Sequence, residues 1–593
     1  LSVDTSEAES YPGILAVITS KDLPAAEDKM EDLGESAINL KEASDNVLAS
    51  GKVLYRGHAI AAVAAANAHV AESALAKIKV VYEVLPPVMD VRDAMREDAP
   101  LLNENRHTKS MGGRMSEKPS NIASYNQFKN GDIEAAFAEA DAVIEREYTT
   151  AMVHQGYIEP QVSTASWNAD GTITIWTSTQ GAFAVRSLTA EILRQPISNI
   201  RVIPMEIGGG FGGKLPIYLD PVAALLSKKS GRPVKIQMSR TDVFEATGPT
   251  SGTYIKVKMA AKGDRLTAVQ ATLCYEAGAY PGSSVGAGAM TMLSPYNIEN
   301  FEINAYDVVV NRPKTAAYRA PGAPAAAFAT ESTVDQVAHA LKLDPLDFRM
   351  TNASRQDTRM VNGIAFPRIG NEETLQAAID SPHYKSPIEG PNRGRGVASG
   401  YWFNGGMQSS VVAAVNPDGT INLIEGSTDI GGSRASLAMQ LAETVGIPME
   451  SIRPSVVDTD SVGHNDVTGG SRVTFATGMA CFEAGMDIRR QMITRASKLW
   501  GCTEDQVVYE NGGLHCKVDS TKDLTFAEMA KQAGRTGGPI VGKASLTARG
   551  AGGAFATHIV DVEVDPDTGK VQILRYTAVQ DVGTTIHPAY VEG

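Results

Sequence analysis

Five glycines surround a single phenylalanine in the run Ile207-Gly-Gly-Gly-Phe-Gly-Gly-Lys214. Without a Cβ, such a loop can take positive φ and bring its backbone close to a ligand. Its successive N–H groups can hold an oxyanion or a phosphate. The apolar stretch Ile200 to Ile203 precedes the loop, and the helix-prone stretch Pro221 to Leu226 follows it. That strand–loop–helix order suits a cofactor cradle, and on its own it fits more than one cofactor. A second small-residue loop, Gly469-Gly470-Ser471-Arg472, suits a pyrophosphate or nucleotide tail, or else an ordinary turn before a helix through Ala476 and Ala480.

The cysteines point away from metal chemistry on this chain. Cys274, Cys481, Cys502 and Cys516 are scattered, with no Cys-x-x-Cys pair. They read as reduced thiols of a cytoplasmic protein. Any iron–sulfur centre used must sit on another chain. A net charge of −14 argues against nucleic acid or an anionic membrane as the main partner. The longest apolar runs, such as Ala59 to Ala66, are too short to span a bilayer. Leu1 to Ser6 has neither the basic start nor the apolar core of a signal peptide.

A chain of 593 residues needs several domains to position these loops. Residues 1–92 form a compact α+β module. Strands are expected at Gly13–Thr19, Val53–Gly57, Ile60–Ala64 and Ile78–Val84, with a helix at Asn67–Ala76. The polar stretch 93–130 reads as a linker arm. Residues 131–352 make a first large domain, 353–394 a polar connection, and 395–593 a second large domain. The hairpin Val411 to Leu423, turning at Asp418-Gly419, has an echo at Thr164 to Trp176, turning at Asp170-Gly171. A duplicated unit with two halves facing one site is one reading; two ordinary hairpins are the other.

Five motifs occur in order: the glycine loop; Ala317-Tyr318-Arg319-Ala320-Pro321-Gly322 followed at Glu331; Asp344-Pro345 through Asn352; Thr468 to Arg472 with Gly478-Met479-Ala480; and Asp581-Val582-Gly583 with His587-Pro588. In this order and spacing the chain resembles the molybdenum-binding subunit of the xanthine dehydrogenase (molybdenum hydroxylase, aldehyde oxidase) family, over nearly its whole length. The fold so implied is α+β: a hammerhead-like module, then two large mixed α/β molybdopterin-binding domains facing a shared cleft. The implied cofactor is molybdopterin, in its cytosine dinucleotide form. No side chain ligates the metal; the pterin dithiolene holds it.

The resemblance assigns residue roles. Gln180 would donate its amide to a molybdenum ligand, unless it is a plain turn glutamine. Phe211 would wall the substrate, with Gly212 offering its N–H to the metal's oxo ligand and Gly210 and Gly213 beside them; a strained structural turn is the alternative. Arg319 would meet substrate or a carboxylate in the cleft, or else pair with Glu331 or Asp335. Arg349 would lie near the cofactor or serve a helix end. Ile430, Gly431 and Gly432 complete the cofactor contacts, with glycine at 432 where many members carry glutamine. His154 and Glu159 match a signature read as structural, Glu159 anchoring loops.

Departures sharpen the substrate. Leu215 stands where purine-oxidising members carry a glutamate, which argues against xanthine. Ala320 stands where carbon monoxide dehydrogenases carry a copper-binding cysteine. The family's catalytic glutamate lies beyond the Asp-Val-Gly…His-Pro motif, and Glu592 does not fit it, so the base is expected on a further C-terminal segment or a separate chain. The implied reaction is hydroxylation of an aldehyde or N-heteroaromatic carbon with water as oxygen source. Electrons would pass to a [2Fe-2S] subunit and an FAD subunit in a dimer of heterotrimers. Reduction of an aromatic CoA thioester and a non-catalytic cofactor-holding role stay open.

Overall fold

The computed structural model describes residues 1–32, 37–550 and 552–593. Its organising feature is one motif built twice. In the first copy β1 (Val162–Trp167) and β2 (Ile173–Thr177) form the Asp-Gly hairpin. Helix α1 (Ala182–Leu193), β3 (Ile200–Pro204), α2 (Asp220–Ser230) and β4 (Val234–Gln237) follow. In the second, β5 (Met407–Val415) and β6 (Ile421–Glu425) precede α3 (Ser433–Val445), β7 (Ile452–Val456), α4 (Val473–Trp500) and β8 (Val541–Ala548). The sheets run β3-β2-β1-β4 and β7-β6-β5-β8. In both, only the β2–β3 type of pair is parallel.

Local chemistry explains the matching turns. Asn168 N–H donates to Thr172 O and Asn416 N–H to Thr420 O, each at 2.8 Å. Asp170 accepts from Thr172 N–H and Asp418 from Thr420 N–H. Gly171 and Gly419 adopt φ of 88° and 85°, which a side chain would disfavour.

The hairpins and their flanking helices bury separate apolar cores. The first core also takes in Ala16, Ile18, Leu40 and Val47 of the N-terminal module, so that module docks on α1 and α2 rather than standing alone. Lys229 of α2 donates to Val17 O at 2.7 Å. Within the module, Ile14–Thr19 pairs with Ala61–Ala65 and helix Ala68–Leu75 follows. The strand expected at Val53–Gly57 does not form. Leu54 N–H is taken by the His58 ring, which stacks on Tyr55, so the segment turns.

Two expected connections are structured. The proposed linker arm 93–130 contains strands His107–Ser110, Met115–Pro119 and Ile122–Asn130, which complete a seven-stranded sheet. Ile122–Asn130 is polar at most positions because much of it stays half-exposed, so it lacks an apolar run. The connection 353–394 carries helix Asn371–Asp380, which packs on strand Ala554–Val564 of the second domain.

The halves are tied edge to edge. Thr459 N–H donates to Val202 O at 3.1 Å, Val202 N–H returns to Thr459 Oγ1 at 3.0 Å, and Arg201 pairs with Asp458 at 2.7 Å. The loops after β2, β3, β6 and β7 therefore open on one side.

Candidate functional site

Between the halves lies a cleft of about 620 Å³. Both glycine loops occupy the same place in their repeat: 208–214 joins β3 to α2, and 469–472 joins β7 to α4. The loops after β2 and β6 supply Gln180 and Ile430 to Gly432. Leu215, Arg319, Trp402 and the segment around His587 close the walls.

Phe211 sits at φ 55°, is 44% exposed and lines the cleft. Arg319 N–H donates to Phe211 O at 2.9 Å, so one backbone bond seats the wall and the cation together. Gly212 is forced by space: at φ 106°, a Cβ would lie 2.4 Å from Ala317 O. At Gly210 a Cβ would lie 2.5 Å from Gln180 Oε1. Gly213 faces away from the cleft, against Tyr157 and Gln155, and is a packing glycine rather than a cofactor contact.

Gln180 does something the sequence does not reveal. It is buried, and its Oε1 accepts from Gly212 N–H at 2.9 Å and from Lys214 N–H at 3.3 Å. Its Nε2 donates to Thr468 O at 2.7 Å. The Gly212 N–H expected to face a metal ligand is thus spent inside the protein, and the Gln180 amide clamps the two halves. Beneath the loop, Lys214 Nζ donates to Glu159 at 2.6 Å and to Ser178 Oγ at 2.9 Å, while Gly208 N–H donates to the same Glu159 oxygen. Burial lowers the proton affinity of Lys214, partly offset by Glu159. Burial would raise Glu159, but Lys214, Ser178 and Gly208 together hold it below the usual range. Glu159 anchors the loop, as expected of it.

Two of the arginines singled out in the sequence are buried. Arg349 is fully buried, bonded to Glu331 at 2.9 Å and Asp335 at 2.6 Å, and does not line the cleft. Glu331 also receives Ser399 N–H at 2.7 Å, which ties the two large domains. The ion pair considered for Arg319 therefore belongs to Arg349. Arg472 is also buried. Its guanidinium reaches the carbonyls of Gly406 at 3.0 Å and Asp466 at 2.9 Å, as well as Gln408 O and Ser409 Oγ. It gathers these acceptors because a buried guanidinium must fill its fork, while the residue itself borders the cleft.

The second wall is backbone. Ile430 is 41% exposed, and Gly431 (φ 139°) has nothing within 4 Å of where a Cβ would stand. Gly432 (φ 94°) is covered by the Tyr590 ring, which stacks on His587 at 3.7 Å. Asp429 accepts from Gly431 and Ser433 N–H. Burial would raise it, but Arg434 and these N–H groups bring it down to about 2. Ser471 holds φ 56° beside Gly469 and Gly470. The N–H groups of Phe211, Gly432 and Ser471 find no acceptor in the described protein, which suits an anionic ligand with several oxygens. Among the described residues no aspartate or glutamate lines the cleft, and the Arg319 side chain has no ion-pair partner. Among the described residues no group of three or more His, Cys, Asp or Glu could hold a metal ion. Trp402, Thr468, His587 and Tyr590 were not anticipated individually. Thr468 and His587 lay in quoted motifs; Trp402 and Tyr590 did not.

A duplicated cleft walled by glycine loops, with unsatisfied N–H groups, suits an organic ligand rich in anionic oxygens. Comparison with known proteins gives the class. Molybdopterin cofactor-binding domain families match residues 115–353 and 373–593. The aldehyde oxidase and xanthine dehydrogenase a/b hammerhead domain matches residues 1–86. The nicotinate dehydrogenase large molybdopterin subunit of Eubacterium barkeri is 30% identical over 64% of this chain and 85% of its own length. The xanthine dehydrogenase molybdenum-binding subunit of Escherichia coli O157:H7 is 29% identical over 100% of this chain and 80% of that protein. In fold, quinoline 2-oxidoreductase from Pseudomonas putida 86 aligns with a TM-score of 0.87 at 22% identity, over 100% of this chain and 79% of that one. The chain belongs to the aldehyde oxidase and xanthine dehydrogenase family of molybdopterin-dependent oxidoreductases. Among the described residues no helix is long and apolar enough to cross a membrane.

Proposed function

We propose that this chain is the large subunit of a molybdenum hydroxylase that oxidises an aldehyde or N-heteroaromatic carbon. Phe211, Gly432 and Ser471 N–H groups, with Gly210, Gly469, Gly470, Ile430 and Gly431, hold the cofactor, a molybdopterin cytosine dinucleotide. When bound, that group supplies two-electron redox chemistry with water as the oxygen source. The observation that carries the reading is the wall itself: Phe211 beside Leu215 and Arg319, with no carboxylate lining the cleft among the described residues. Phe211 orients a flat substrate, Leu215 gives it an apolar edge, and Arg319 places one cation against an electron-rich substituent. A purine finds no carboxylate partner among the described residues of the cleft.

The general base is a carboxylate outside the residues that line this cleft. Electrons leave through a [2Fe-2S] subunit and an FAD subunit, assembled as a dimer of heterotrimers in the cytoplasm. A relative named for nicotinate, a carboxylated pyridine, is consistent with a heteroaromatic substrate facing Arg319. The test is dye reduction by the purified complex with panels of aldehydes, N-heteroaromatics and purines. Turnover confined to purines, or no turnover by a molybdenum-loaded complex, sinks this reading.

A further inference from the structure

Glu425 ends β6 and leads into the Ser427–Gly432 loop of the cleft. Its place in the repeat corresponds to Thr177, which ends β2. A small hydroxyl in one copy is therefore a carboxyl in the other. Glu425 is entirely buried. Oε2 accepts from Ser427 N–H at 2.6 Å, and Oε1 has no hydrogen-bond partner. No cation pairs with it among the described residues.

The groups that face Glu425 do not neutralise it. Asp429, on the same loop, carries a like charge. Arg434, on α3, is spent on Asp429 and on Glu206 at 2.8 Å. Arg472, at the start of α4, is spent on backbone carbonyls. Cys481 on α4 is a buried thiol whose proton is held more tightly by burial. A lone carboxylate in such a place would cost several kcal/mol. Burial, the largest influence, pushes the Glu425 carboxyl up to about 8.

We propose that Glu425 is a neutral carboxylic acid in the folded protein and a positioning residue for the Ser427–Gly432 loop, which releases its ligand when Glu425 ionises. As an acid it keeps the Ser427 N–H bond and adds no charge. Ionised, it places a second buried negative charge behind Asp429, on a loop whose exposed backbone faces an anionic cofactor. The sign follows from the raised proton affinity of the folded state. Stability from this group is fully present in mild acid and is lost as the pH climbs towards about 8. The effect on cofactor retention rests on the molybdopterin reading; the protonation state does not.

Infrared difference spectra of the purified complex, wild type minus E425Q, read the protonation directly. At neutral pH the substitution removes a protonated-carboxyl C=O band. Wild type loses molybdenum faster at roughly pH 9 than at neutral pH, and E425Q loses it equally slowly at both. E425T, which installs the first copy's residue, gives the same pattern if E425Q folds poorly. Loss of an ionised-carboxylate band at neutral pH, or molybdenum retention in wild type and variants that changes equally with pH, overturns the proposal. A complex that never holds molybdenum overturns the cofactor reading and leaves the infrared result standing.

Discussion

Gln180 and Thr468 are joined twice across the cleft. Thr468 N–H donates to Gln180 O at 2.7 Å, and Gln180 Nε2 donates to Thr468 O at 2.7 Å. Each residue sits beside one of the two glycine loops, so this reciprocal pair fixes the width of the cleft.

Replacing Gln180 with Ala strips Gly212 and Lys214 N–H and Thr468 O of a buried partner. The expected cost is about 3 kcal/mol of stability, with a lowered molybdenum content. Thermal unfolding together with metal analysis checks it; an unchanged Tm and full metal content contradict the clamp.

Lys214→Met leaves the half-buried Glu159 with no cation, at an expected cost of about 2 kcal/mol. The double variant K214M/E159Q is expected to be more stable than K214M alone, because the orphaned charge is gone. Denaturant unfolding of the three proteins measures the coupling.

How much of this was visible in the sequence depends on how local each feature is. The Asp170-Gly171 and Asp418-Gly419 turns are readable because each is satisfied by its own neighbours. The glycine loop is readable because few residues tolerate its geometry. The roles of Gln180, Arg349 and Arg472 are not, since their partners lie far away in sequence or are backbone carbonyls, which carry no residue signature. Strand Ile122–Asn130 was hidden by its half-exposed, polar face.

His154 predicts an acid sensitivity. Burial, and then the charge of Arg240, lower its proton affinity to about 4. Between the ordinary histidine range and about 4 the unfolded chain binds the proton and the folded chain does not, so stability falls as the pH drops through that window. His154→Gln is expected to flatten the Tm–pH profile there; a parallel profile would count against the assignment.

Arg319→Met removes a cleft cation that has no ion-pair partner among the described residues. We expect kcat/KM to fall roughly 100-fold with little change in molybdenum content, and Tm to shift by no more than a surface substitution of about 0.5 kcal/mol would cause. Arg319→Lys should recover part of the activity. Loss of metal in either variant would make Arg319 a cofactor residue instead.

The central claim is that the paired loops around Phe211 and Ser471 hold a molybdenum pterin. Metal and pterin analysis of the complex purified from its native source tests it most directly. Stoichiometric molybdenum with a pterin carrying a cytosine nucleotide is the predicted result. An assembled complex with no molybdenum and no pterin would contradict it.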